Sequence, residues 1–281
     1  MKITFFGVRG TSPVIGEKFR EYGGETTSVL VESDRGGRVV IDAGTGMRNI
    51  GKQLLEGGED PSLLLLMTHY HLDHVSGLPS FSPLYNGDWR LTAAAPIMST
   101  RSIDEVLERV FAEPFWPLQV DTLPARIDFV TLPGETAQSP FRFGGLEIRW
   151  APIHHPGGAT AYRIDDPATG GSFVFATDIE WEEASARERE AFLNLCAEPS
   201  PPDILVFDGQ YSRENYDKYR GWGHSAWQTG VEVSRKANAK KLLITHHNPD
   251  SDDAALNEIE KQLKNTEPEA NLLRDGMIFV L

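Results

Sequence analysis

Short runs of hydrophobic residues recur along the chain and, after the first third, alternate with longer segments of helical periodicity. The run at 63–68 is apolar at nearly every position, a pattern typical of a strand buried on both faces of its sheet. Other runs are rich in β-branched and aromatic residues and are bounded by turn residues. The predicted strands cover residues 3–7, 28–32, 38–42, 63–68, 127–132, 146–150, 162–164, 172–177, 204–208, 242–245 and 277–281.

Apolar residues at roughly helical spacing predict five helices. They cover residues 47–55, 103–111, 182–197, 225–238 and 254–264. Because strands cluster early and then alternate with helices, the order indicates layered mixed sheets flanked by helices rather than a strict repeat of strand, helix and strand. No linker or internal repeat interrupts the pattern, so we expect one α/β domain over residues 1–281.

Two segments, 78–89 and 114–124, are rich in proline, glycine and aromatic residues and predict extended loops over one edge of the core. Two roles fit such loops. They wall a substrate pocket, or they form the contact surface of a homodimer. The pattern does not choose between them.

Composition and charge exclude several classes of protein. Of the 281 residues, 40% are hydrophobic and 24% are charged, the balance of a folded globular chain. The formal net charge of −14 opposes general attraction to nucleic acid or anionic membranes, so a phosphate-bearing substrate must be held by local charge. Because no apolar run reaches signal-peptide or membrane-spanning length, we expect a cytoplasmic protein. The single cysteine, Cys196, is interpreted as a small buried hydrophobic residue.

The eight histidines are confined to four short places, most of which follow a predicted strand. They are His69, His71 and His74; His154 and His155; His224; and His246 and His247. In the segment 68–74, three imidazoles and the carboxylate of Asp73 lie within six positions of each other, directly after a buried strand. Nitrogen and oxygen ligands of this kind suit zinc, and also manganese or iron. The sequence therefore predicts a metal site in this turn, with room for a second ion beside the first.

The His-x-His-x-Asp-His pattern at 69–74 is the signature of the metallo-β-lactamase superfamily, and the resemblance extends over nearly the whole chain. Ile41-Asp42-Ala43-Gly44-Thr45-Gly46 resembles the first motif of that family. His155, Asp178 and His246 resemble the ligands of its third, fourth and fifth motifs, in the family's order. The resemblance implies an αββα four-layer sandwich of two mixed sheets flanked by helices.

The resemblance also implies a ligand set for two divalent cations, with zinc expected and manganese or iron possible. One metal would be held by His69, His71 and His155, the other by Asp73, His74 and His246, with Asp178 as the bridge and Asp42 as support for the metal loops. Two cations a few ångströms apart suit hydrolysis, because they activate water and clamp the attacking and leaving oxygens. The remaining doublet members, His154 and His247, are interpreted as supporting or surface residues, with contact to the substrate as the alternative for either.

Features between the metal motifs are similar to the ribonuclease Z-like, phosphodiesterase-like branch of the superfamily. There, a carboxylate at the position of Asp208 partners a histidine at the position of His224, a pair suited to general acid catalysis. We assign Asp208 and His224, together with Asp73, to the catalytic group. This chain has Asp-Gly-Gln-Tyr at 208–211, where ribonuclease Z enzymes have Glu-Ala-Thr-Phe. Asp178 lies only 23 positions after His155, which leaves no room for the long arm of enzymes that process transfer RNA.

Four residues, Arg9, Thr11, Ser12 and Tyr211, are predicted to contact the substrate, and Trp222 is a further aromatic candidate. Arg9 would supply local positive charge, and the hydroxyls of Thr11 and Ser12 would bond phosphate oxygens. Tyr211 would stack on a base, as would Trp222, although both residues also fit a role in packing the loop.

The leading hypothesis is a dinuclear metal-dependent phosphodiesterase that acts on a small phosphodiester or cyclic nucleotide through a metal-bridging hydroxide. A second hypothesis keeps the metals and changes the substrate to a carboxylic ester, thioester or lactone. A third is a metal-binding sensor without turnover. Under the leading hypothesis the partner is a small substrate, with no general nucleic-acid or membrane binding.

Overall fold

Two seven-stranded sheets form the centre of the computed structural model, which describes residues 1–57, 60–134, 139–264 and 266–281. The first sheet contains β1 (Lys2–Gly7), β2 (Ser28–Glu32), β3 (Arg38–Ile41), β4 (Ser62–Leu66), β5 (Arg90–Pro96), β6 (Arg126–Leu132) and β14 (Ile278–Val280). The second contains β7 (Phe141–Phe143), β8 (Leu146–Ile153), β9 (Ala159–Asp166), β10 (Gly171–Ala176), β11 (Ile204–Asp208), β12 (Lys241–Thr245) and β13 (Glu269–Leu272).

Both sheets are mixed and follow the same plan. The first has the order β14-β1-β2-β3-β4-β5-β6, and the second has the order β13-β12-β11-β10-β9-β8-β7. In the first, pairing is antiparallel from β14 to β3 and parallel from β3 to β6. In the second, pairing is antiparallel from β7 to β10 and parallel from β10 to β13.

Helices cover the outer faces of the two sheets. They are α1 (Met47–Glu56), α2 (Leu72–Val75), α3 (Ile103–Val110), α4 (Ala186–Ala197), α5 (Arg213–Tyr216), α6 (Trp227–Lys236) and α7 (Asp253–Leu263). Helices α1 and α3 pack on the first sheet, whereas α4, α6 and α7 pack on the second. The expected αββα sandwich of two mixed sheets is thus confirmed.

Alternation along β4 shows why the sandwich has three apolar layers. Leu63 and Leu65 face the cluster under α1 and α3, while Leu64 and Leu66 enter the core between the sheets. Successive side chains of a strand point to opposite faces, so an unbroken apolar run buries both. All four leucines are at most 1% exposed. The prediction of a doubly buried strand is confirmed.

Three strands were missed by the sequence pattern, namely β5, β7 and β13. The β5 strand contains three consecutive alanines, which have low intrinsic preference for strands, yet it pairs in parallel with both β4 and β6. Here tertiary pairing overrides local propensity. The strands β7 and β13 are short and lie at sheet edges.

Two predicted helices begin later than expected, and each has a local cause. Helix α4 begins at Ala186 rather than at 182, because Ser185 forms a capping box with Glu188. Helix α6 begins at Trp227 rather than at 225, since the backbone N–H of Ser225 donates to Asp208 and its hydroxyl donates to a backbone carbonyl.

The segment 78–89, predicted to be an extended loop over the core, packs on the first sheet. It contains two short 3-10 helices, Leu78–Ser80 and Ser82–Tyr85. Its largest apolar side chains lie in the cluster under α1 and α3, whereas Phe115 and Leu118 in the second predicted loop are 80% and 40% exposed. Within the described ranges, no helix has the length and apolar character needed to cross a bilayer.

Candidate metal centre and catalytic site

The predicted ligands lie just beyond the carboxyl ends of strands from both sheets. His69 follows β4, His155 follows β8, Asp178 follows β10 and His246 follows β12. Strand ends are rigid mounting points, so the loops that follow can hold side chains in fixed positions. Hence four separate regions of the sequence converge at one edge of the sandwich.

Three residues at this edge adopt a backbone conformation that side-chain-bearing residues rarely use. The φ angles of Asp42, Asp178 and His246 are 60°, 56° and 62°. A left-handed conformation is costly for such residues and persists where the surroundings impose it, often at functional sites. Asp42 and His246 directly follow a strand, Asp178 follows β10 after Thr177, and each turns its side chain toward the same cluster.

One group of ligand atoms is formed by His69, His71 and His155, whose nitrogens lie within 4.8 Å of one another. Nε2 of His155 lies 3.1 Å from Nδ1 of His71. The Oδ1 atom of Asp178 lies 3.7 Å from Nε2 of His69 and 3.9 Å from Nε2 of His155. Three imidazoles and a carboxylate oxygen therefore surround one position.

A second group is formed by Asp73, His74 and His246. Oδ2 of Asp73 lies 3.3 Å from Nε2 of both His74 and His246. Oδ2 of Asp178 lies 3.2 Å and 3.3 Å from the same two nitrogens. The two carboxylate oxygens of Asp178 thus face different groups, the arrangement expected of a bridging ligand.

The chemistry of this cluster fits a pair of divalent cations. Nε2 of His69, of His74 and of His246 is buried and makes no hydrogen bond within the described residues. A buried imidazole nitrogen without a partner is costly, and three of them aimed at two carboxylates are satisfied together by cations. The residues present therefore fit the metals that the sequence predicts.

The electrostatics of the cluster combine neutral imidazoles with ionised carboxylates. Burial lowers the pKa of His69 and lowers the pKa of His155 to about 4, so both are in the neutral form that binds metals. Burial alone would raise the pKa of Asp178, but His246 and His74 hold it well below its usual range. Conversely, burial alone would lower the pKa of His74 and His246, but the carboxylates of the cluster raise both. Protons and cations thus compete for these imidazoles.

Asp42, to which the resemblance gives a supporting role, lies behind the segment 68–74 and binds it through both carboxylate oxygens. Its Oδ2 accepts hydrogen bonds from Nδ1 of His74 at 2.9 Å and from the hydroxyl of Thr68 at 2.7 Å. Its Oδ1 accepts from the backbone N–H of Thr68 at 2.7 Å. Binding Nδ1 of His74 turns Nε2 toward the cluster, and such partners orient metal-binding histidines.

Sequence reasoning missed Gln210, which orients His246. Its Oε1 accepts a hydrogen bond from Nδ1 of His246 at 2.8 Å, and its amide donates to the hydroxyls of Thr11 and Tyr211. Gly10 lies against the same ring, because a Cβ atom there would be 2.3 Å from Nδ1 of His246. In the sequence, only its position two residues after Asp208 could have indicated that Gln210 belongs to the site.

His224 and Asp208 form the predicted pair at the side of the metal cluster. Nδ1 of His224 donates to Oδ2 of Asp208 at 3.0 Å, which leaves Nε2 as its other nitrogen. The backbone N–H of Asp178 donates to the same Oδ2 at 3.0 Å. The His224 and His155 rings lie 5.4 Å apart between centroids, so this pair adjoins the metal ligands directly.

Glu180 is a further buried residue that the sequence did not single out. Its Oε1 accepts from the Tyr216 hydroxyl at 2.7 Å and from the backbone N–H of Gly221 at 2.6 Å, and its Oε2 accepts from the N–H of Gly223 at 2.8 Å. The carbonyl of Gly223 in turn accepts from Nδ1 of His155 at 2.9 Å. Glu180 therefore joins the loop before His224 to His155, a candidate metal ligand.

The structure corrects the expectation that Arg9 contacts the substrate. Its side chain is fully buried, and its guanidinium donates to the backbone carbonyls of Gly23, Asn248 and Ser251. Burial lowers its pKa, although nearby aspartates oppose that change. The guanidinium ties three loop segments together instead of facing the metal cluster.

The other predicted substrate residues lie close to the cluster with different exposures. The backbone N–H of Thr11 donates to Oδ2 of Asp73 at 2.8 Å. Ser12 is exposed next to it. Tyr211 is only 5% exposed and stacks on Tyr219, so it presents little free surface to a ligand.

The two remaining histidines lie outside the cluster. His154 is half-buried, with Nδ1 3.6 Å from Oε1 of Glu188. His247 is buried, and its Nε2 donates to the carbonyl of Leu273 at 2.8 Å. Burial lowers the pKa of His247 to about 3, which fits a neutral structural residue.

A four-layer sandwich with this histidine and aspartate cluster at one edge defines the class of metal-dependent hydrolases with a metallo-β-lactamase fold. Residues 37–247 match the beta-lactamase superfamily domain. The chain belongs to the beta-lactamase superfamily.

Individual relatives are more distant. The chain is 22% identical over 288 residues to ribonuclease Z from Haloarcula marismortui, covering 88% of this chain and 86% of the relative. A diphosphatase of the PhnP family has a similar structure, with a TM-score of 0.70, 21% identity and coverage of 100% and 97% of the two chains. The short form of human tRNase Z has a TM-score of 0.67, with 17% identity and coverage of 100% and 99%. These structural similarities concern the fold.

Proposed function

We propose that this protein is a dinuclear metal-dependent phosphodiesterase for small phosphodiesters or cyclic nucleotides. The observation that carries the proposal is the position of Asp178, whose two oxygens face separate ligand groups, next to the His224 and Asp208 pair. Ligands for two cations and a proton donor at their side are the parts that hydrolysis of a phosphodiester needs.

The chain offers a nitrogen and oxygen ligand set for both cations, and zinc is the metal we expect. His69, His71 and His155 would hold one cation, Asp73, His74 and His246 the other, and Asp178 would bind both. When bound, such cations lower the pKa of water and stabilise negative charge on a phosphoryl group. Asp42 and Gln210 keep two of these imidazoles turned toward the cluster.

His224 is the residue that passes a proton to the leaving oxygen. Because Nδ1 donates to Asp208, the tautomer and the orientation of the ring are fixed, and Nε2 is the atom that carries the transferred proton. The alcohol then leaves neutral, water supplies the new oxygen on phosphorus, and the proton that this water releases replaces the one given up by His224. Proton transfer of this kind contributes roughly 10²–10⁴-fold to a rate.

Three observations favour a small substrate over transfer RNA. The chain between His155 and Asp178 is occupied by β9, β10 and the turn that joins them, with no protruding arm. The net charge of −14 opposes a polyanion. Similarity to a diphosphatase of the PhnP family supports a compact phosphate ester as the substrate. The ribonuclease Z relatives also indicate a phosphate ester as the substrate.

The test measures hydrolysis of bis(p-nitrophenyl) phosphate, cyclic nucleotides, lactones and thioesters by zinc-loaded and manganese-loaded protein. We expect phosphodiesters to be hydrolysed fastest. His224→Ala should lower kcat for cyclic nucleotides by roughly 10²–10⁴-fold and affect bis(p-nitrophenyl) phosphate less, because p-nitrophenolate leaves without a proton. His154→Ala, at a half-buried position outside the cluster, is the matched control and should retain wild-type rates.

Two outcomes would overturn the proposal. Faster turnover of lactones or thioesters than of any phosphodiester would favour an acyl hydrolase. Full metal occupancy with no turnover of any substrate class would favour a metal-binding sensor.

A further inference from the structure

Four aromatic rings form a continuous series from the catalytic site to the protein surface. The ring of Tyr211 meets His224 edge to face, with centroids 6.0 Å apart. Tyr219 stacks on Tyr211 at 4.3 Å with an interplanar angle of 5°, and Trp222 meets Tyr219 edge to face at 5.4 Å. We call His224, Tyr211, Tyr219 and Trp222 the aromatic ladder.

The inner part of the ladder is fixed and unavailable to a ligand. The backbone N–H of Tyr211 donates to the Ser225 carbonyl, and its own carbonyl accepts from the Trp227 N–H. Tyr211 is 5% exposed, and the stacked face of Tyr219 is covered by Tyr211. Tyr211 and Tyr219 therefore serve to pack the loop between β11 and α6.

The outer end of the ladder is different, because Trp222 is 63% exposed. It lies next to Gly223, whose carbonyl bonds to His155 and whose N–H is held by Glu180. The neighbouring N–H of Gly221 is held by the same carboxylate. A large indole surface is thus presented to solvent from a backbone that is anchored on both sides, within two residues of His224.

Most of the positive charge around the ladder is already paired. Both arginines of the segment 211–224 are engaged, since Arg213 pairs with Glu232 and Arg220 pairs with Glu183 and Asp217, and the exposed Lys218 is the remaining basic side chain of the segment. An exposed indole beside engaged arginines suits a flat uncharged ring, because stacking on an aromatic face needs no counter-charge. An anchored platform also loses little conformational entropy when it binds.

We propose that Trp222 is a stacking platform for a flat uncharged ring, such as a nucleobase, on the leaving-group side of the substrate. This inference rests on the proposed function, because His224 defines that side by protonating the leaving oxygen. It narrows the substrate to a phosphodiester in which the group leaving on the His224 side carries an aromatic ring.

Binding of phosphate monoesters, whose single ester group stands in for the leaving group, tests the platform without turnover. Calorimetry would compare adenosine 5′-monophosphate, whose single ester oxygen can lie on the His224 side, with methyl phosphate on the zinc-loaded protein. We expect wild type to bind the adenosine ester more tightly. Trp222→Ala should weaken that binding roughly tenfold and leave methyl phosphate binding unchanged. Trp222→Phe, which keeps an aromatic face, should lose less.

Phe115→Ala removes another exposed aromatic side chain and is the matched control, expected to bind both esters as wild type does. The inference fails if Trp222→Ala binds adenosine 5′-monophosphate like wild type, if it weakens both esters equally, or if wild type does not distinguish them. Failure of the proposed function would show separately, as a wild-type protein that hydrolyses no phosphodiester.

Discussion

His246 and His247 are neighbours in the sequence, yet their surroundings give them different roles. Nδ1 of His246 is held by Gln210, and its Nε2 faces two carboxylates of the metal cluster. Nε2 of His247 instead donates to the carbonyl of Leu273 in a buried structural contact. At the scale of single residues, the partner of each ring nitrogen decides whether the other nitrogen is free to bind a metal.

Asp42 offers a test at this scale. We predict that Asp42→Asn weakens zinc binding about 10–100-fold, because an uncharged amide holds Nδ1 of His74 less firmly than a carboxylate does. Competition for zinc with a chromophoric chelator measures the change, and circular dichroism checks that the variant is folded. Asp88→Asn, at an exposed position, is the control. Wild-type affinity in folded Asp42→Asn would contradict the supporting role.

At the scale of elements, the segment between β11 and α6 contains the short helix α5 and is held in place by a buried carboxylate. Glu180 accepts hydrogen bonds from Tyr216, Gly221 and Gly223. Gly223 must be glycine in this arrangement, because a Cβ atom there would lie 2.1 Å from Nδ1 of His155. The loop that carries His224 is therefore positioned by the strand end that carries Asp178.

We predict that Glu180→Gln lowers kcat roughly tenfold while changing KM less. The substituted amide presents an N–H group where Gly223 or Gly221 needs an acceptor, and a hydrogen bond to a charged group contributes about 1.5–3 kcal/mol. Steady-state kinetics with a cyclic nucleotide, together with the zinc content of the purified variant, measure the effect. Glu183→Gln removes only the exposed pair with Arg220 and serves as control. Equal kinetics in both variants would exclude a positioning role for Glu180.

At the scale of the whole molecule, a segment near the end of the chain is joined to one near its beginning. Oδ2 of Asp275 accepts from the backbone N–H groups of Gly24 and Glu25, and the N–H of Asp275 donates to the carbonyl of Tyr22. Burial raises the pKa of Asp275 to about 7, and the Glu25 carboxylate adds to this, although the two N–H groups oppose it. The folded protein therefore retains a proton that the unfolded chain releases near pH 4.

The number of protons bound in the folded and unfolded states determines whether stability rises or falls with pH. Between about pH 4 and pH 7 the folded state binds more protons at Asp275 than the unfolded state, so its contribution to the free energy of unfolding falls as pH rises. Asp275→Asn, which does not titrate, should lack this fall. Urea unfolding of metal-free wild type and variant at pH 5 and pH 7.5 compares the two, and parallel pH dependence would contradict the prediction.

The sequence by itself determined the layered architecture and the candidate ligands. An unbroken apolar run such as 63–68 is buried on both faces only when packed layers lie on both sides of its strand. The residues His69, His71, Asp73 and His74 lie so close together in the sequence that their pattern can be recognised without the fold. Both signals can be read from neighbouring residues, without knowledge of contacts between distant parts of the chain.

Only the tertiary structure decided which groups meet across the chain. The strand β5 forms because β4 and β6 pair with it, and Arg9 becomes a buried tie because three distant carbonyls surround it. Gln210 and Glu180 have no local signature, since their partners lie as far as 199 and 43 residues away along the chain, respectively. Hydrogen bonding and burial depend on distances in space, and a linear pattern specifies those distances only within single elements.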